Sequence, residues 1–378
     1  MKDAQMVHSQ TNTTTELMYI AFELSNAKWK LMFSDGFRRR QKTIAAGDLS
    51  QFEQEVTKAK DRFKLEQDVT IYSCYEAGRD GFWIHRYLGK QGISNFVVDS
   101  SSIEVNRRSR RAKTDRIDVG KLMDMLIRYT NGEQKLWSVV HVPSVEQEDQ
   151  RRIQREIDRL KKERTAHSNR IRSLLVLHGI KFRVSADFIQ HLDKVRQFDG
   201  SRLGPCLKNE IRREYDRYRL IDEQLKQIDQ EKEQLLQQGR PAAKDVQKLE
   251  LLKGIGPVGS WTLVYEFLAW RDFKNVKQVG AAAGLAPTPY DSGDSKREQG
   301  ISKAGNARVR KLMTQLSWQW LRHQPQSQLA RWYMQRFGSG ASRMRRVGII
   351  ALARKLLIAF WKYLQTGLVP EGARLKAI

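Results

Sequence analysis

The sequence predicts an α/β domain followed by a mostly helical remainder, and three observations lead to this fold class. Near the N-terminus, short apolar runs of strand length alternate with amphipathic helical segments. From about residue 145 the composition shifts to Glu, Arg, Lys, Gln and Leu on a heptad spacing, and beyond about residue 240 a helical pattern is interrupted by glycine motifs. The expected organisation is a disordered tail at 1–16, an α/β domain at 17–144, a coiled-coil hairpin at 145–240 and a helical domain at 241–378.

Five strands and three helices are predicted in the N-terminal domain. The strands are expected at Leu17–Leu24, Lys28–Phe33, Phe37–Ile44, Val69–Tyr75 and Phe96–Asp99. The helices are expected at Leu49–Phe63, Gly81–Lys90 and Asp115–Tyr129. Asp48 and Thr114 stand where the first and third helices need N-cap residues. Three consecutive strands, then helix, strand, helix, strand and helix, is the element order of an RNase H-like fold, which we expect here.

Two long helices with a heptad pattern are predicted in the middle of the chain. Their apolar seams contain Ile153, Ile157, Leu160, His167, Ile171 and Leu174, and then Ile211, Tyr218, Ile221, Leu225, Ile228 and Leu235. Residues 178–205 connect them, and 239–243 form a predicted linker to the last domain. The pattern leaves open whether the seams pack on each other as an antiparallel hairpin or on another protomer in a dimer or tetramer.

The chain carries a large excess of positive charge. It has 68 Lys and Arg against 43 Asp and Glu, a net charge of +25, which favours a polyanionic partner such as nucleic acid. A basic membrane-surface protein is the alternative. However, Arg354, Lys355 and Lys362 interrupt the longest apolar run, Val347–Leu364, which predicts a buried or interfacial helix and no membrane span. Residues 299–370 contain thirteen Lys and Arg and no acidic residue, which indicates a nucleic-acid surface.

Cysteine and histidine provide no recognisable metal site. Cys74 and Cys206 lie far apart, and the seven histidines form no pair at ligand spacing. The cysteine usage and the lack of an N-terminal apolar stretch predict a cytoplasmic protein with reduced thiols. Any metal is therefore expected on carboxylates, which favours Mg²⁺ or Mn²⁺.

Four acidic residues stand at the ends of predicted elements. Glu23 ends the first strand, Glu76 follows the fourth, and Asp115 and Asp118 open the third helix. Two carboxylates at i and i+3 share a helix face, and strand ends would meet them across a cleft able to hold Mg²⁺ against a phosphate. The alternative is that Asp115 caps the helix and Asp118 is solvated. Glu23 favours the metal site, because an acid in an apolar strand is unfavourable without a function.

A basic segment precedes that third helix. Its predicted phosphate-binding residues are Arg107, Arg108, Arg110, Arg111 and Lys113. Beside a carboxylate cleft it would suit docking of a phosphate backbone, and the alternative is a disordered charged loop.

Glycine motifs mark the C-terminal domain. Leu252–Gly259 has the pattern of a helix-hairpin-helix element, in which Gly254 and Gly256 let backbone N–H groups approach phosphate; the alternative is a turn between packed helices. Ser292, before Gly293 in a predicted loop, is either a nucleophile beside phosphate-clamping cations or an ordinary loop serine. The predicted nucleic-acid ligands in this domain are Lys296, Arg297, Lys303, Asn306, Arg308, Arg310, Arg345 and Arg346.

Taken together, these motifs resemble those of the "one-ten" family of insertion-sequence transposases, which are DEDD transposases or bridge-RNA-guided serine recombinases. The resemblance covers nearly all of the chain after the tail. The motifs similar to the family's RuvC-like domain are Tyr75-Glu76-Ala77-Gly78 and Lys113-Thr114-Asp115-Arg116-Ile117-Asp118. Those similar to its transposase domain are Gly254-Ile255-Gly256-Pro257, Gly284-Leu285-Ala286-Pro287, Ser292-Gly293, Ile301-Ser302-Lys303-Ala304-Gly305-Asn306 and Ala353-Arg354-Lys355-Leu356.

The resemblance implies a chemistry and a set of partners. Glu76, Asp115 and Asp118 take the family's second, third and fourth acidic positions as Mg²⁺ ligands, and Ser292 takes the position of the serine that forms a 5′-phosphoserine link to DNA. A structured non-coding guide (bridge) RNA, target and donor DNA, a homo-oligomer and a prokaryotic, nucleoid-associated location are implied as well. Glu23 stands where the family typically has Asp, and a carboxylate moved by about 1 Å weakens catalysis strongly.

Two other function classes stay open at this point. A metal-dependent endonuclease of the Holliday-junction type would use water as its nucleophile and would not need Ser292. A catalytically impaired nucleic-acid-binding relative would keep the fold and the charge, and Glu23 in place of Asp is the feature that favours it.

Overall fold

The computed structural model describes residues 16–78, 80–103, 115–185, 187–292 and 295–376, with the side chains of 101, 115–118, 289–292 and 295–299 left out. The predicted tail up to residue 15, the basic segment with Arg107, Arg108, Arg110, Arg111 and Lys113, and the predicted cap Thr114 lie outside the described residues. The chain divides into two compact units between Val142 and Pro143. The second unit contains both segments predicted as separate domains, 145–240 and 241–378, and that separation stays a prediction.

The first unit is built on a five-stranded sheet. Its strands are β1 Leu17–Leu24, β2 Lys28–Ser34, β3 Arg39–Ala45, β4 Thr70–Glu76 and β5 Ser94–Val98. Their order is β3-β2-β1-β4-β5. The first three strands form an antiparallel meander, and β1, β4 and β5 run parallel. The five predicted strands are confirmed, with shifts of at most two residues at their ends.

Helices cover both faces of this sheet. They are α1 Leu49–Phe63, α2 Trp83–Lys90 and α3 Asp115–Thr130. The Asp48 side chain accepts a hydrogen bond from the backbone N–H of Gln51, which confirms the predicted cap of α1. Along β1, Ile20 and Phe22 join the core under α1 and α2, whereas Ala21 joins the core under α3. Burial on both faces explains why β1 is continuously apolar.

The second unit begins with a helical hairpin. Its helices are α4 Val145–Val176, α5 Phe188–Leu192 and α6 Pro205–Gln237. Ser144 and Gln147 form a reciprocal capping box at the start of α4. The seams of α4 and α6 pack on each other, with Ile157 and Leu160 against Ile221, Leu225 and Ile228. His167 of α4 pairs with Glu214 of α6, and Arg164 pairs with Asp222, so the two helices run antiparallel within this chain. Pairing of the seams with another protomer and a homo-oligomer stay predictions.

The rest of the second unit is mostly helical, as predicted. Its elements are α7 Pro241–Leu251, α8 Pro257–Leu263, α9 Val276–Ala282, β6 Pro287–Ser292, β7 Ser295–Ile301, α10 Ala307–His323, α11 Gln328–Tyr333 and α12 Ser342–Thr366. Two π-helical segments, Val264–Leu268 and Met334–Gly338, continue α8 and α11. The middle of α12 is buried against Trp261 and Trp320, which confirms a core helix in the apolar run. In the part of the chain that is described, no helix has the length and apolar character needed to span a bilayer.

Candidate functional site

The carboxyl ends of β1 and β4 bring two predicted metal ligands together. The strands are parallel, and Phe22 lies level with Tyr75 in their register. Glu23 and Glu76, the next residues along, therefore lie side by side at the same edge of the sheet. Both belong to the α3 face, because residues alternate along a strand and Ala21 and Cys74 pack under α3. Glu23 is half-buried and Glu76 is exposed.

The start of α3 lies at this same edge. The Cys74 thiol donates to the Leu122 carbonyl oxygen at 3.7 Å, and Asp124 pairs with Arg39 toward the opposite edge of the sheet. The N-terminal end of α3 consequently points toward Glu23 and Glu76. Four helical residues from Leu122 back to Asp118 span about 6 Å, and two strand residues from Cys74 to Glu76 span about 6.6 Å. Asp118 therefore lies on the part of α3 that extends from Leu122 toward the carboxyl ends of β1 and β4.

The donor set fits a hard divalent cation. Neighbouring strands lie about 4.8 Å apart, which lets two carboxylates at their ends share one ion. The described side chains include no cluster of three metal-binding residues, and those of Asp115 and Asp118 lie outside the described residues. Asp99 directly follows β5, one residue beyond Val98, which pairs with Glu76; because Val98 packs under α3, the alternation along the strand does not set Asp99 on the α3 face.

Ser292 belongs to a β-hairpin, so the prediction that it lies in a loop was wrong. It is the last residue of β6 and pairs in register with Ser295, the first residue of β7. Gly293 and Asp294 between them, and the Ser292 side chain, lie outside the described residues. The backbone register sets Lys296 opposite Asp291, and Arg297 two rows from Ser292. The polar, proline-containing sequence of β6 gave no strand pattern.

Two glycines join the base of this hairpin to the start of α10. The backbone φ is +67° at Gly284 and +95° at Gly305, in the left-handed region that favours glycine. A Cβ at Gly284 would overlap the Ala304 carbonyl oxygen, and one at Gly305 would overlap that of Ala282. The Asn306 N–H donates to the Ala282 oxygen at 2.9 Å. The segments that contain Gly284 and Gly305 therefore pack with their backbones in direct contact.

Three predicted nucleic-acid ligands near this base have partners inside the protein. The Arg310 guanidinium donates to the carbonyl oxygens of Ala283 at 3.3 Å and Lys303 at 3.0 Å. Asn306 caps α10, accepting from the backbone N–H groups of Arg308 and of the following residue. Arg308 pairs with Asp158 of α4. Their binding to nucleic acid stays a prediction, and the structure gives each of them a structural role.

The other predicted nucleic-acid ligands of the second unit whose surroundings are described are exposed cations and two glycines in a turn between helices. Lys303 is exposed with a φ of +56°, and Arg345 and Arg346 are exposed in the first turns of α12. Gly254 has a φ of +94°, and a Cβ there would lie 3.0 Å from the Cβ of His323. Gly256 is the N-cap of α8. The two helices and the turn predicted around these glycines are present, and close packing explains Gly254, while phosphate binding stays a prediction.

Sequence reasoning missed a buried ion cluster centred on Glu266. Its carboxylate is 3% exposed and accepts from Arg155 at 2.7 and 3.0 Å, from Arg151 at 3.3 Å and from the Asn306 amide at 3.0 Å. Burial alone would raise the pKa of Glu266, but the hydrogen bond and charge of Arg155, the charge of Arg151 and the Asn306 amide outweigh it and hold this pKa below its ordinary value. The cluster ties α4 to the start of α10. A lone acid in the apolar run 261–268 was the signal for it.

Known proteins match this chain in the region of the hairpin and over nearly its whole length. Residues 246–331 match the model of the transposase IS116/IS110/IS902 family. The chain is 40% identical over 382 residues to a putative transposase, y4rJ, of Sinorhizobium fredii, covering 95% of this chain and 94% of that protein. It is 26% identical over 256 residues to the transposase for insertion sequence element IS1111A of Coxiella burnetii, covering 68% and 66%. The transposase for IS1328 of Yersinia enterocolitica is 27% identical over 215 residues, covering 56% and 61%.

Proposed function

The chain belongs to the IS116/IS110/IS902 family of transposases, and we propose that it cuts and rejoins DNA with a carboxylate site in its first unit and Ser292 in its second. The observation that carries the proposal is the edge of the sheet where Glu23 and Glu76 lie side by side with the start of α3 directed toward them. The strand order β3-β2-β1-β4-β5 supports an RNase H-like, RuvC-like domain for this unit.

The carboxylates would hold Mg²⁺ or Mn²⁺. Glu23 and Glu76 come from neighbouring strand ends, and Asp115 and Asp118 from the first turn of α3. A cation held there would neutralise charge on the reacting phosphate and assist loss of the nucleophile's proton. The protein's own contribution is to fix the carboxylates on strands and a helix, so that the site needs little rearrangement when the ion binds.

Ser292 would supply the nucleophile. Its Oγ forms a bond to phosphorus and loses its proton, while the bond from phosphorus to the 3′ oxygen breaks and that oxygen takes up a proton. The product is a 5′-phosphoserine and a free 3′ hydroxyl, and reversal on a second DNA end rejoins the strand. Support comes from the position of Ser292 at the end of a hairpin whose base is fixed by close backbone contacts, with Lys296 and Arg297 on the facing strand.

A structured guide RNA and a homo-oligomer complete the proposal. Both rest on the motifs shared with the family, and the charge of +25 is consistent with two nucleic-acid partners. Sequencing of RNA that co-purifies with the protein tests the guide: one abundant structured species is expected, and only a random mixture of cellular RNA would contradict it.

A covalent-adduct assay tests the chemistry. Full-length protein with its co-purified RNA is incubated with Mg²⁺ and a DNA substrate labelled at its 3′ end, so that the label stays on the fragment bound to the protein, and the products are run on a denaturing gel. Ser292→Ala should remove the adduct and recombination with DNA binding unchanged, whereas Ser295→Ala and Ser302→Ala, two matched serine controls nearby, should keep the adduct. Glu76→Ala and EDTA should each abolish it as well.

The alternatives give different gels. If Ser292→Ala still releases nicked DNA in Mg²⁺, water is the nucleophile and the protein is an endonuclease of the junction-resolving type. If the wild-type protein gives neither an adduct nor nicks while binding DNA, the chain is a catalytically impaired relative. Either result overturns the serine mechanism.

A further inference from the structure

An open apolar groove lies in the second unit beside the base of the Ser292 hairpin. Its volume is about 810 Å³, and its walls are α12, α11 with its π-helical continuation, and the ends of β6 and β7. Apolar side chains line most of it, among them Leu329, Trp332, Val347 and Ile358. Val347 is 45% exposed, so this wall of α12 is open to solvent along part of its length.

Four cations surround this apolar surface. They are Arg336, Arg354, Lys355 and Lys362, and the described residues that line the groove include no acid. None of the four forms an ion pair with any carboxylate whose side chain the structure describes. The Lys355 ammonium lies 4.7 Å from the centre of the Trp332 ring, and the stem of Arg354 packs beside Gly280. The groove therefore combines an apolar floor with a rim of cations that have no ion-pair partner among the described side chains.

This combination selects among possible occupants. An apolar peptide or a second copy of this positively charged surface would cover the rim without supplying counter-charge, at a cost in desolvation. Duplex DNA presents phosphates but keeps its bases stacked inside. A single nucleic-acid strand offers phosphates for the rim and flat apolar bases for the floor, which includes the partly exposed ring of Trp332 beside the Lys355 ammonium.

The location indicates which strand. Pro287 and Ile301, at the base of the hairpin, line the groove, and the five residues from Pro287 to Ser292 span about 17 Å of strand. We propose that the groove binds unstacked bases of a single DNA strand that flanks the phosphate attacked by Ser292. The position next to the cut rests on the proposed function, whereas binding of single-stranded DNA in the groove does not. This role also accounts for Arg354 and Lys355 of the Ala353-Arg354-Lys355-Leu356 motif.

Fluorescence polarisation with the full-length protein tests the groove without requiring activity. The probes are a labelled oligo(dT) and an oligonucleotide of the same length and charge without bases, and oligo(rU) is the competitor. The wild-type protein should prefer oligo(dT) over the abasic strand by about fivefold or more, the range of one stacked base. Oligo(rU) should compete no better than unlabelled oligo(dT).

Two variant pairs locate the effect. Val347→Asp places an acid on the groove wall, and its control Leu368→Asp makes the same charge change at a residue that is 75% exposed and outside the groove. Lys362→Glu has the exposed Lys311→Glu as its control. Val347→Asp should abolish the preference for bases and Lys362→Glu should weaken binding of both probes, each more than its control, with circular dichroism unchanged.

Several outcomes would overturn the proposal. They are equal affinity of the wild-type protein for the two probes, equal effects of Val347→Asp and Leu368→Asp, and displacement of oligo(dT) by much lower concentrations of oligo(rU). A lower mass of Val347→Asp in light scattering with its DNA binding intact would identify the groove as an interface between copies of the chain. If the wild-type protein forms no covalent adduct but still prefers oligo(dT) over the abasic strand, the proposed chemistry is contradicted and the proposal for the groove is not.

Discussion

Replacing Glu266 by alanine should destabilise the second unit strongly. The carboxylate is 3% exposed and is the partner of Arg151, 12% exposed, and of Arg155, 49% exposed. Removing one member of a buried ion pair costs about 3–5 kcal/mol, chiefly through the charge left behind. Because Arg155 can turn toward water while Arg151 cannot, we expect about 3 kcal/mol. For a unit of this size that is a fall in Tm of about 6–12 °C.

Urea and thermal unfolding followed by tryptophan fluorescence measure this cost. Six of the nine tryptophans, among them the buried Trp261 and Trp270, lie in the second unit, so most of the emission reports on this unit. Glu266→Gln keeps the volume and should give a smaller loss than Glu266→Ala. The control is Asp193→Ala, which removes an exposed carboxylate that pairs with Lys208 and should move the midpoint far less. A loss below about 1 kcal/mol for Glu266→Ala would refute the reasoning.

Three further results are expected. The folded-state pKa of Glu266 is depressed, so the stability that its carboxylate contributes is fully present above the ordinary glutamate pKa of about 4.3 and is lost as pH falls through the folded-state value. The free energy of unfolding should therefore drop more steeply on acidification in the wild type than in Glu266→Gln. Parallel plots of this free energy against pH would contradict the prediction. Gly305→Ala should lower the free energy of unfolding in urea by at least about 2 kcal/mol, because its Cβ would meet a backbone carbonyl. The control Gly300→Ala, at a similar φ of +89° but with nothing within 4 Å of the added Cβ, should lower it by about 1 kcal/mol. Equal losses would show that the backbone contact at Gly305 contributes nothing. Glu23→Asp should match or exceed wild-type recombination in a plasmid assay, and loss of activity would show a site adapted to the longer side chain.

Periodicity predicted most of the fold because most elements bury one regular face. The long helices α4 and α6 and the apolar strands of the sheet were found from the spacing of apolar residues, whereas the mostly polar β3 was placed by the Asp35-Gly36 turn signal before it. The hairpin of β6 and β7 was missed because its sequence, Pro287–Ile301, shows no alternation of apolar and polar residues and has two prolines in β6. Whether the seams of α4 and α6 close within one chain was also beyond the heptad pattern, since both arrangements bury the same residues.

The candidate site depended on strand pairing that local sequence does not encode. Glu23 and Glu76 are 53 residues apart, and only the parallel register of β1 and β4 sets them side by side. The fold class inferred from the order of the elements predicted that the ends of these two strands are neighbours. The Glu266 cluster had no such guide, because its arginines come from a helix more than a hundred residues earlier and each contact is specific to the tertiary packing.

The motifs near the Ser292 hairpin are explained better by architecture than by direct recognition of DNA. Gly284 and Gly305 permit two backbone segments to touch, and Arg310 and Asn306 donate to a carbonyl oxygen and a buried carboxylate. A side chain committed in this way gains little by exchanging its partner for a phosphate, since both bonds are of similar strength. These contacts hold the base of β6 and β7 in a fixed position, which the proposed nucleophile at the end of the hairpin would require. Of the described cations around the apolar groove, Arg354, Lys355 and Lys362 lie on α12 and have no carboxylate partner among the described side chains. Substitutions there should change affinity for DNA without changing stability.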